Sequence, residues 1–185
     1  MASTFKRRIA RGFTLIELLI VVIILAIIAA IAIPQFSAST SDAQVAALDS
    51  NLAAVRTAVE QYKAQHTGFV YPGAVTSKGA TCAVGEKLEG EAGTKDALEA
   101  QLKGYSNAAG QVCSAPNEGY RYGPYLRQGL PAEPINNTSN TVVTSTGAPI
   151  APGDETGGWA YDTKSGQFVM NSNAKDSNAR EYYKH

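Results

Sequence analysis

Histidine and cysteine are scarce in this chain of 185 residues, with two of each, and the scarcity limits the chemistry that the chain can perform. The sequence has no C-x-x-C pair, Cys/His cluster, nucleophile elbow, phosphate-binding loop or HExxH motif. We therefore expect no enzyme, and we expect His66 and His185 to be solvated. The length suits one ordinary globular domain, and an apolar share of 44% excludes wholesale disorder.

Acidic residues are absent from the first twelve positions, which contain four basic residues. Without those four, twelve basic residues stand against sixteen acidic ones, so residues 13–185 have a formal charge of −4. Binding to nucleic acid requires Lys and Arg clustered on the folded part of a protein. The distribution of charge therefore gives no indication of a nucleic-acid partner. We also expect no cofactor.

Polar residues are almost absent from residues 13–33. Every residue from Leu18 to Ile33 is apolar, and only Thr14 and Glu17 interrupt the part before it. A helix of 21 residues is roughly 31 Å long, about the hydrocarbon thickness of a bilayer. Because the basic residues before the run hold that end on the cytoplasmic side, the rest of the chain is expected on the other side of the membrane.

Glu17 is the one charged residue in this apolar segment. A carboxylate costs about 2.5 to 3.5 kcal/mol near the centre of a bilayer and less toward its edge. An ordinary secretory signal and a plain transmembrane anchor are the alternatives for this segment, and we expect neither to have a use for the acid. Glu17 is therefore expected to have a partner.

The string from Arg11 to Leu19, RGFTLIELL, is similar to the prepilin signal of type IV pilins and of the pseudopilins of type II secretion. The resemblance implies that a prepilin peptidase cleaves after Gly12 and N-methylates the new terminus at Phe13. It also implies that Glu17 meets the amine of Phe13, its own or that of a neighbouring subunit. A carboxylate and an ammonium buried together cost far less than either alone, so Glu17 would control assembly through charge neutralisation.

Pro34 ends the apolar run at the family's spacing and is expected to kink a helix that continues beyond it. Six apolar positions between Val45 and Tyr62 then recur every three or four residues, which predicts an amphipathic helix. We expect four parts: a leader at 1–12, a transmembrane and filament-core helix at 13–33, an amphipathic helix at 34–67, and a globular head at 68–185.

The predicted fold class is α+β, and the resemblance implies the type IV pilin fold, a helix over about 13–66 packed on a small C-terminal antiparallel sheet. In the head, Thr94 can cap a short helix that runs to Lys103. Residues 140–144 are rich in β-branched side chains, and residues 158–162 and 167–171 predict a hairpin.

Cys82 and Cys113 are separated by thirty residues. In a domain exported to an oxidising compartment two cysteines usually form one disulfide, which stabilises by about 3 to 4 kcal/mol in the loop-entropy model. Two free thiols are the alternative for a cytosolic chain.

Asp154 and Glu155 offer oxygen ligands in a loop, and some major pseudopilins bind calcium in a C-terminal loop. The spacing matches no EF-hand, so a solvated acidic turn is the favoured interpretation and calcium is the alternative.

The predicted function is that of a structural subunit that polymerises with copies of itself. The resemblance implies storage in the bacterial inner membrane, with a single pass and the head in the periplasm or outside. An assembly platform would then build a cell-surface pilus, or fimbrium, or a periplasmic pseudopilus. A Gly-Pro-Tyr-Leu run at 123–126 favours the pseudopilin, whereas the extended head and the disulfide favour the pilus. A monomeric membrane-tethered extracytoplasmic binding domain is the alternative from another class.

Overall fold

The computed structural model describes residues 13–153 and 157–185, and its elements confirm the α+β class. In chain order they are helix α1 (Leu15–Gln65), a 3-10 turn (Thr67–Phe69), helix α2 (Lys95–Lys103), strands β1 (Tyr105–Ser106), β2 (Val112–Cys113), β3 (Thr141–Thr144), β4 (Trp159–Asp162) and β5 (Phe168–Met170), and a 3-10 turn (Tyr182–Lys184). The chain divides into two compact units, Met1–Thr40 and Ser41–His185.

The described part of the first unit is the N-terminal portion of α1. Its sixteen large apolar side chains between Phe13 and Phe36 are each 48 to 84% exposed. The helix continues through Pro34, as the sequence indicated, although proline cannot donate the backbone hydrogen bond of a helix interior. This portion of α1 is thus an apolar helix whose side chains are not packed into a hydrophobic core.

The core of the second unit lies between the later part of α1 and the hairpin β4–β5. The predicted apolar face of the helix is buried, and its residues Leu48, Leu52, Val55 and Val59 pack in one cluster with Leu98 and Leu102 of α2 and with Trp159, Tyr161, Phe168 and Met170 of the hairpin. Thr94 caps α2, since its hydroxyl accepts a hydrogen bond from the Ala97 amide at 3.3 Å. The helix periodicity and the cap were therefore predicted correctly.

The three-stranded sheet is mixed, whereas an antiparallel sheet was expected. Strands β4 and β5 form the predicted antiparallel hairpin, but β3 pairs with β4 in parallel, with Thr141 opposite Trp159. Parallel neighbours need a connection of a dozen or more residues to bring the chain back to the same end of the sheet. Residues 145–158 provide such a connection.

A second sheet of two short strands, β1 and β2, lies beside a disulfide. Cys113 of β2 is bonded to Cys82, and both cysteines belong to a small cluster with Ala80 and Tyr120. The hydroxyl of Tyr120 accepts a hydrogen bond from the Thr81 amide at 2.8 Å. The bridge and this contact attach the loop that contains Cys82 to the small sheet.

Both histidines are buried, so the expectation that they are solvated was wrong. His66 is 4% exposed, and its ring stacks on Tyr62 with 3.6 Å between ring centroids. Its Nε2 lies 2.9 Å from the Ser106 hydroxyl, and burial lowers the pKa of the ring below its ordinary value. The side chain of His185 is 2% exposed, and its Nδ1 lies 2.9 Å from a carboxylate oxygen of Asp49. An imidazole combines a stackable ring with two polar atoms and can therefore be satisfied inside a core.

Asp162, at the end of β4, is fully buried and organises two loops through its carboxylate. It accepts hydrogen bonds from the backbone amides of Thr146, Gly147, Lys164 and Ser165 and from the hydroxyls of Thr144, Thr146 and Ser165. Burial by itself would raise the pKa of this carboxyl, but the bonds from Ser165 and Gly147 outweigh burial and hold the pKa far below its ordinary value.

We predict that Asp162→Asn lowers the free energy of unfolding by about 2 to 4 kcal/mol at pH 7, because the amide nitrogen would face hydrogen-bond donors. A carboxyl whose pKa is lowered by folding stabilises above its unfolded pKa of about 4, and this stabilisation is lost as the pH falls below that value. Thermal unfolding of the full chain in detergent, followed by circular dichroism from pH 3 to pH 7, measures both effects.

The matched control is Glu118→Gln, which neutralises an exposed carboxyl in the loop between β2 and β3. The control should unfold like the wild type, and the Asp162→Asn variant should lose less stability than the wild type on acidification. Equal stability of Asp162→Asn and the wild type at pH 7 would contradict the role given to Asp162.

Candidate functional site

The first turn of α1 contains a reciprocal pair of hydrogen bonds between Thr14 and Glu17. The Thr14 amide donates to Glu17 Oε2 at 2.9 Å, and the Glu17 amide donates to Thr14 Oγ1 at 3.3 Å. The Thr14 hydroxyl also donates to Glu17 Oε2, at 2.6 Å. A threonine before the first helical residue and a glutamate three positions later form a capping box, which satisfies two backbone amides that a helix start leaves unpaired.

This cap was missed in the sequence, although Thr-x-x-Glu before an apolar run is its recognised pattern. The expectation that a plain membrane anchor has no use for Glu17 was therefore wrong. A carboxylate near a helix N-terminus also interacts favourably with the helix dipole. Glu17 alone thus does not distinguish an anchor from a subunit that assembles.

The carboxylate of Glu17 retains capacity for another partner. Both side-chain bonds from Thr14 reach Oε2, and no donor from residues 13–153 or 157–185 reaches Oε1. A carboxylate offers about four acceptor positions on its two oxygens. An incoming ammonium group can therefore bind Oε1 while the cap at Oε2 stays intact.

The environment of this site is apolar and uncovered. Phe13 and Leu15 are more than four-fifths exposed, and the large side chains after them are also exposed. By length and composition, α1 is the one helix in the described residues that is long and apolar enough to cross a membrane.

Of the other predicted site residues, only Phe13 is next to this turn in the described chain. Phe13 directly precedes the capping box, and Pro34 lies inside α1. Gly12, Asp154 and Glu155 are outside the described residues, so the cleavage position and the calcium alternative stay predictions. Among residues 13–153 and 157–185, no group of three or more His, Cys, Asp or Glu side chains is placed to hold a metal ion.

Known proteins match this chain over part of its length and part of their own. The family described as the prokaryotic N-terminal methylation motif matches residues 7–33. The type II secretion system core protein G of Pseudomonas aeruginosa is 39% identical over 67 residues, which cover 36% of this chain and 46% of that protein.

Pilus subunits match over shorter stretches at higher identity. A fimbrial protein of Pseudomonas aeruginosa is 54% identical over 50 residues, which cover 27% of this chain and 32% of that protein. The type IV narrow pilus major component PilA5 of Thermus thermophilus is 53% identical over 49 residues, or 26% of this chain and 42% of its own. The chain thus spans less than half the length of each of these relatives, and no solved structure matches it.

We predict that Thr14→Val, which keeps the side-chain shape and removes the hydroxyl, destabilises the first turn of α1 by about 1 kcal/mol. The amides of Glu17 and Leu18 should then exchange with solvent roughly fivefold faster, since opening of the turn becomes easier by that amount. Hydrogen exchange of the micelle-bound chain, followed by NMR, measures this change.

Thr14→Ser is the matched control, because serine keeps the capping hydroxyl. Unchanged exchange in Thr14→Val, or equal acceleration in both variants, would show that the cap does not hold this turn.

Proposed function

We propose that this chain is a member of the type IV pilin and pseudopilin family and a structural subunit of a filament, which its similarity to such proteins supports. The observation that carries the proposal is the coincidence of the methylation motif at residues 7–33 with an apolar helix that the described chain leaves uncovered. Such a helix requires a bilayer or other copies around it.

The amount of apolar surface explains why an external environment is required. Burying one large apolar side chain is worth about 1.5 to 3 kcal/mol. Sixteen such side chains between Phe13 and Phe36 are exposed, so leaving them in water costs on the order of tens of kcal/mol. The bilayer covers this surface before assembly, and neighbouring helices cover it in the filament.

Processing of the precursor follows from the same segment. A prepilin peptidase cleaves after Gly12 on the cytoplasmic face and methylates the amine of Phe13. The leader at 1–12 supplies the basic residues that keep this end in the cytoplasm. Residues 13–33 then anchor the subunit, residues 34–67 connect it, and residues 68–185 form the head outside the inner membrane. An assembly platform extracts the subunit into the filament.

The charge of Glu17 favours subunits that dock in the correct register during assembly. Its cap occupies Oε2, so Oε1 can accept the ammonium of Phe13 from a neighbouring copy. Within an apolar bundle such a pair is strongly favoured over a lone charge, because a buried ion without its partner costs about 3 to 5 kcal/mol. A subunit that docks out of register would leave both charges unpaired.

A pseudopilin of a type II secretion system is the second candidate. It is supported by the similarity to a type II secretion core protein over 67 residues, whereas the pilus subunits match over 49 and 50 residues. Both candidates use the same assembly chemistry. The named relatives are structural subunits, and this agrees with a non-enzymatic role for the chain.

We predict that Glu17→Ala is produced and cleaved normally but yields at least about tenfold fewer filaments, because the methylated amine loses its counter-charge. Electron microscopy of sheared surface fibres quantifies assembly, and mass spectrometry of the N-terminus reports cleavage and methylation at Phe13.

Glu118→Gln, a charge removal in the head, is the matched control and should assemble normally. Normal filaments from Glu17→Ala would contradict the role given to Glu17, whereas the absence of filaments from the wild type would favour the monomeric tethered domain. Recovery of material that begins at Ala2, or at Ala32 or beyond, would exclude processing as a prepilin.

A further inference from the structure

A cleft of about 470 Å³ opens on the second unit, where four segments of the chain meet. The segments are the end of α1, the loop after it, the connection between β3 and β4, and the turn between β4 and β5. The side chains that matter for binding are those of Lys63, Phe69, Tyr71, Ser145 and Lys164. Its volume is in the range of pockets that bind small ligands. Neither the disulfide nor the apolar part of α1 contributes to it.

Phe69 is held in an unfavourable backbone conformation that leaves its ring in solvent. It has a φ of 53° and directly follows Gly68 at a φ of 78°, so two successive residues are left-handed. Glycine tolerates this conformation, but a bulky residue adopts it rarely. The ring is nevertheless 71% exposed, so burial of the ring does not explain the strain. Strained residues of this kind concentrate at binding and functional sites.

The opposite wall of the cleft is fixed around Tyr71. A Cβ atom at Gly166 would lie 2.3 Å from the Tyr71 ring, so the hairpin turn approaches this ring as closely as glycine allows. The Lys63 ammonium donates to the Tyr71 hydroxyl at 2.8 Å and lies 4.1 Å from the ring centroid. The position of one cation at the cleft is therefore set by contacts within the protein.

The cleft retains positive charge. Lys164 is exposed, and no hydrogen bond or ion pair reaches its ammonium group from the described part of the chain. Glu60, the nearby acid, accepts from the Tyr71 hydroxyl at 3.3 Å. The carboxylate of Asp162 is buried and occupied by the hydrogen bonds of its two loops. Two lysines thus line the cleft together with exposed Phe69, and Ser145 and Tyr71 contribute hydroxyl groups to its lining.

We propose that this cleft binds a saccharide that carries a carboxylate group. The exposed ring of Phe69 offers an apolar face for a sugar ring to stack on, and the two ammonium groups take the carboxylate. A single-stranded nucleic acid also combines stacking with negative charge, but it requires a longer cationic track. The formal charge of −4 on residues 13–185 and the two lysines of the cleft favour a short ligand with one charge. This binding activity does not depend on filament assembly.

The test measures binding to the full chain in detergent by saturation-transfer NMR and titration calorimetry at low salt. The probes are cellobiouronic acid and cellobiose, which differ by one carboxylate, and a short oligothymidylate. We expect the acidic disaccharide to bind about tenfold more tightly than the neutral one, as two partly exposed ion pairs allow, and this preference should shrink with added salt. The oligothymidylate should bind more weakly than the acidic sugar.

Two variants separate the contribution of ion pairing with the carboxylate from that of sugar stacking on Phe69. Lys164→Gln should abolish most of the preference for the acidic sugar and leave cellobiose unaffected. Phe69→Asn removes the ring but keeps a residue that tolerates the left-handed conformation, so it should weaken both sugars by a similar factor. Lys103→Gln, an exposed lysine outside the cleft, is the matched control and should bind like the wild type.

Several outcomes overturn the proposal. They are equal binding of the two sugars, no binding of either, an unchanged preference in Lys164→Gln, and tighter binding of the oligothymidylate. Loss of surface filaments in Lys164→Gln and Phe69→Asn, with sugar binding unchanged in both, would make the cleft a contact between copies of the chain. Because sugar binding is measured on dispersed subunits, failure of the filament proposal would leave this result intact.

Discussion

An apolar helix that its own chain does not cover is the constraint on which the rest of this protein depends. The large apolar side chains from Phe13 to Phe36 are about half exposed or more, whereas the later part of α1 is buried on one face by its own strands. One helix therefore serves two environments. Its first part is stable only beside lipid or other helices, and its second part is stable within a single chain.

Two carboxylates show how burial and exposure direct the same chemical group to different uses. Asp162 is enclosed and fully supplied with donors from its own loops. Glu17 accepts side-chain hydrogen bonds at one oxygen, Oε2, and Thr14 donates both of them. No other donor from the described chain reaches this carboxylate. The first carboxylate fixes a fold, and the second can still take part in an interaction with another molecule.

Local patterns in the sequence predicted much of this structure. The spacing of Leu48, Leu52 and Val55 gave the buried face of α1, and Thr94 gave the start of α2, because both signals act within a few residues. The parallel pairing of β3 and the burial of both histidine side chains depend on residues far away in the chain, so periodicity could not predict them. The cap at Glu17 was local and could have been found, since Thr14 stands three positions before the acid.

The order in which contacts form along the chain bears on how the head folds. Arg56 of α1 donates to the Phe168 carbonyl across a sequence separation of 112 residues, and β4 and β5 supply much of the core against which α1 packs. Contacts between such distant segments form late and slow the search for the native state. A chain that emerges N-terminus first thus presents an unfinished hydrophobic surface until nearly its whole length has appeared. The proposed export would therefore move an unfolded head across the membrane, and the head would fold cooperatively only after its last strands had crossed.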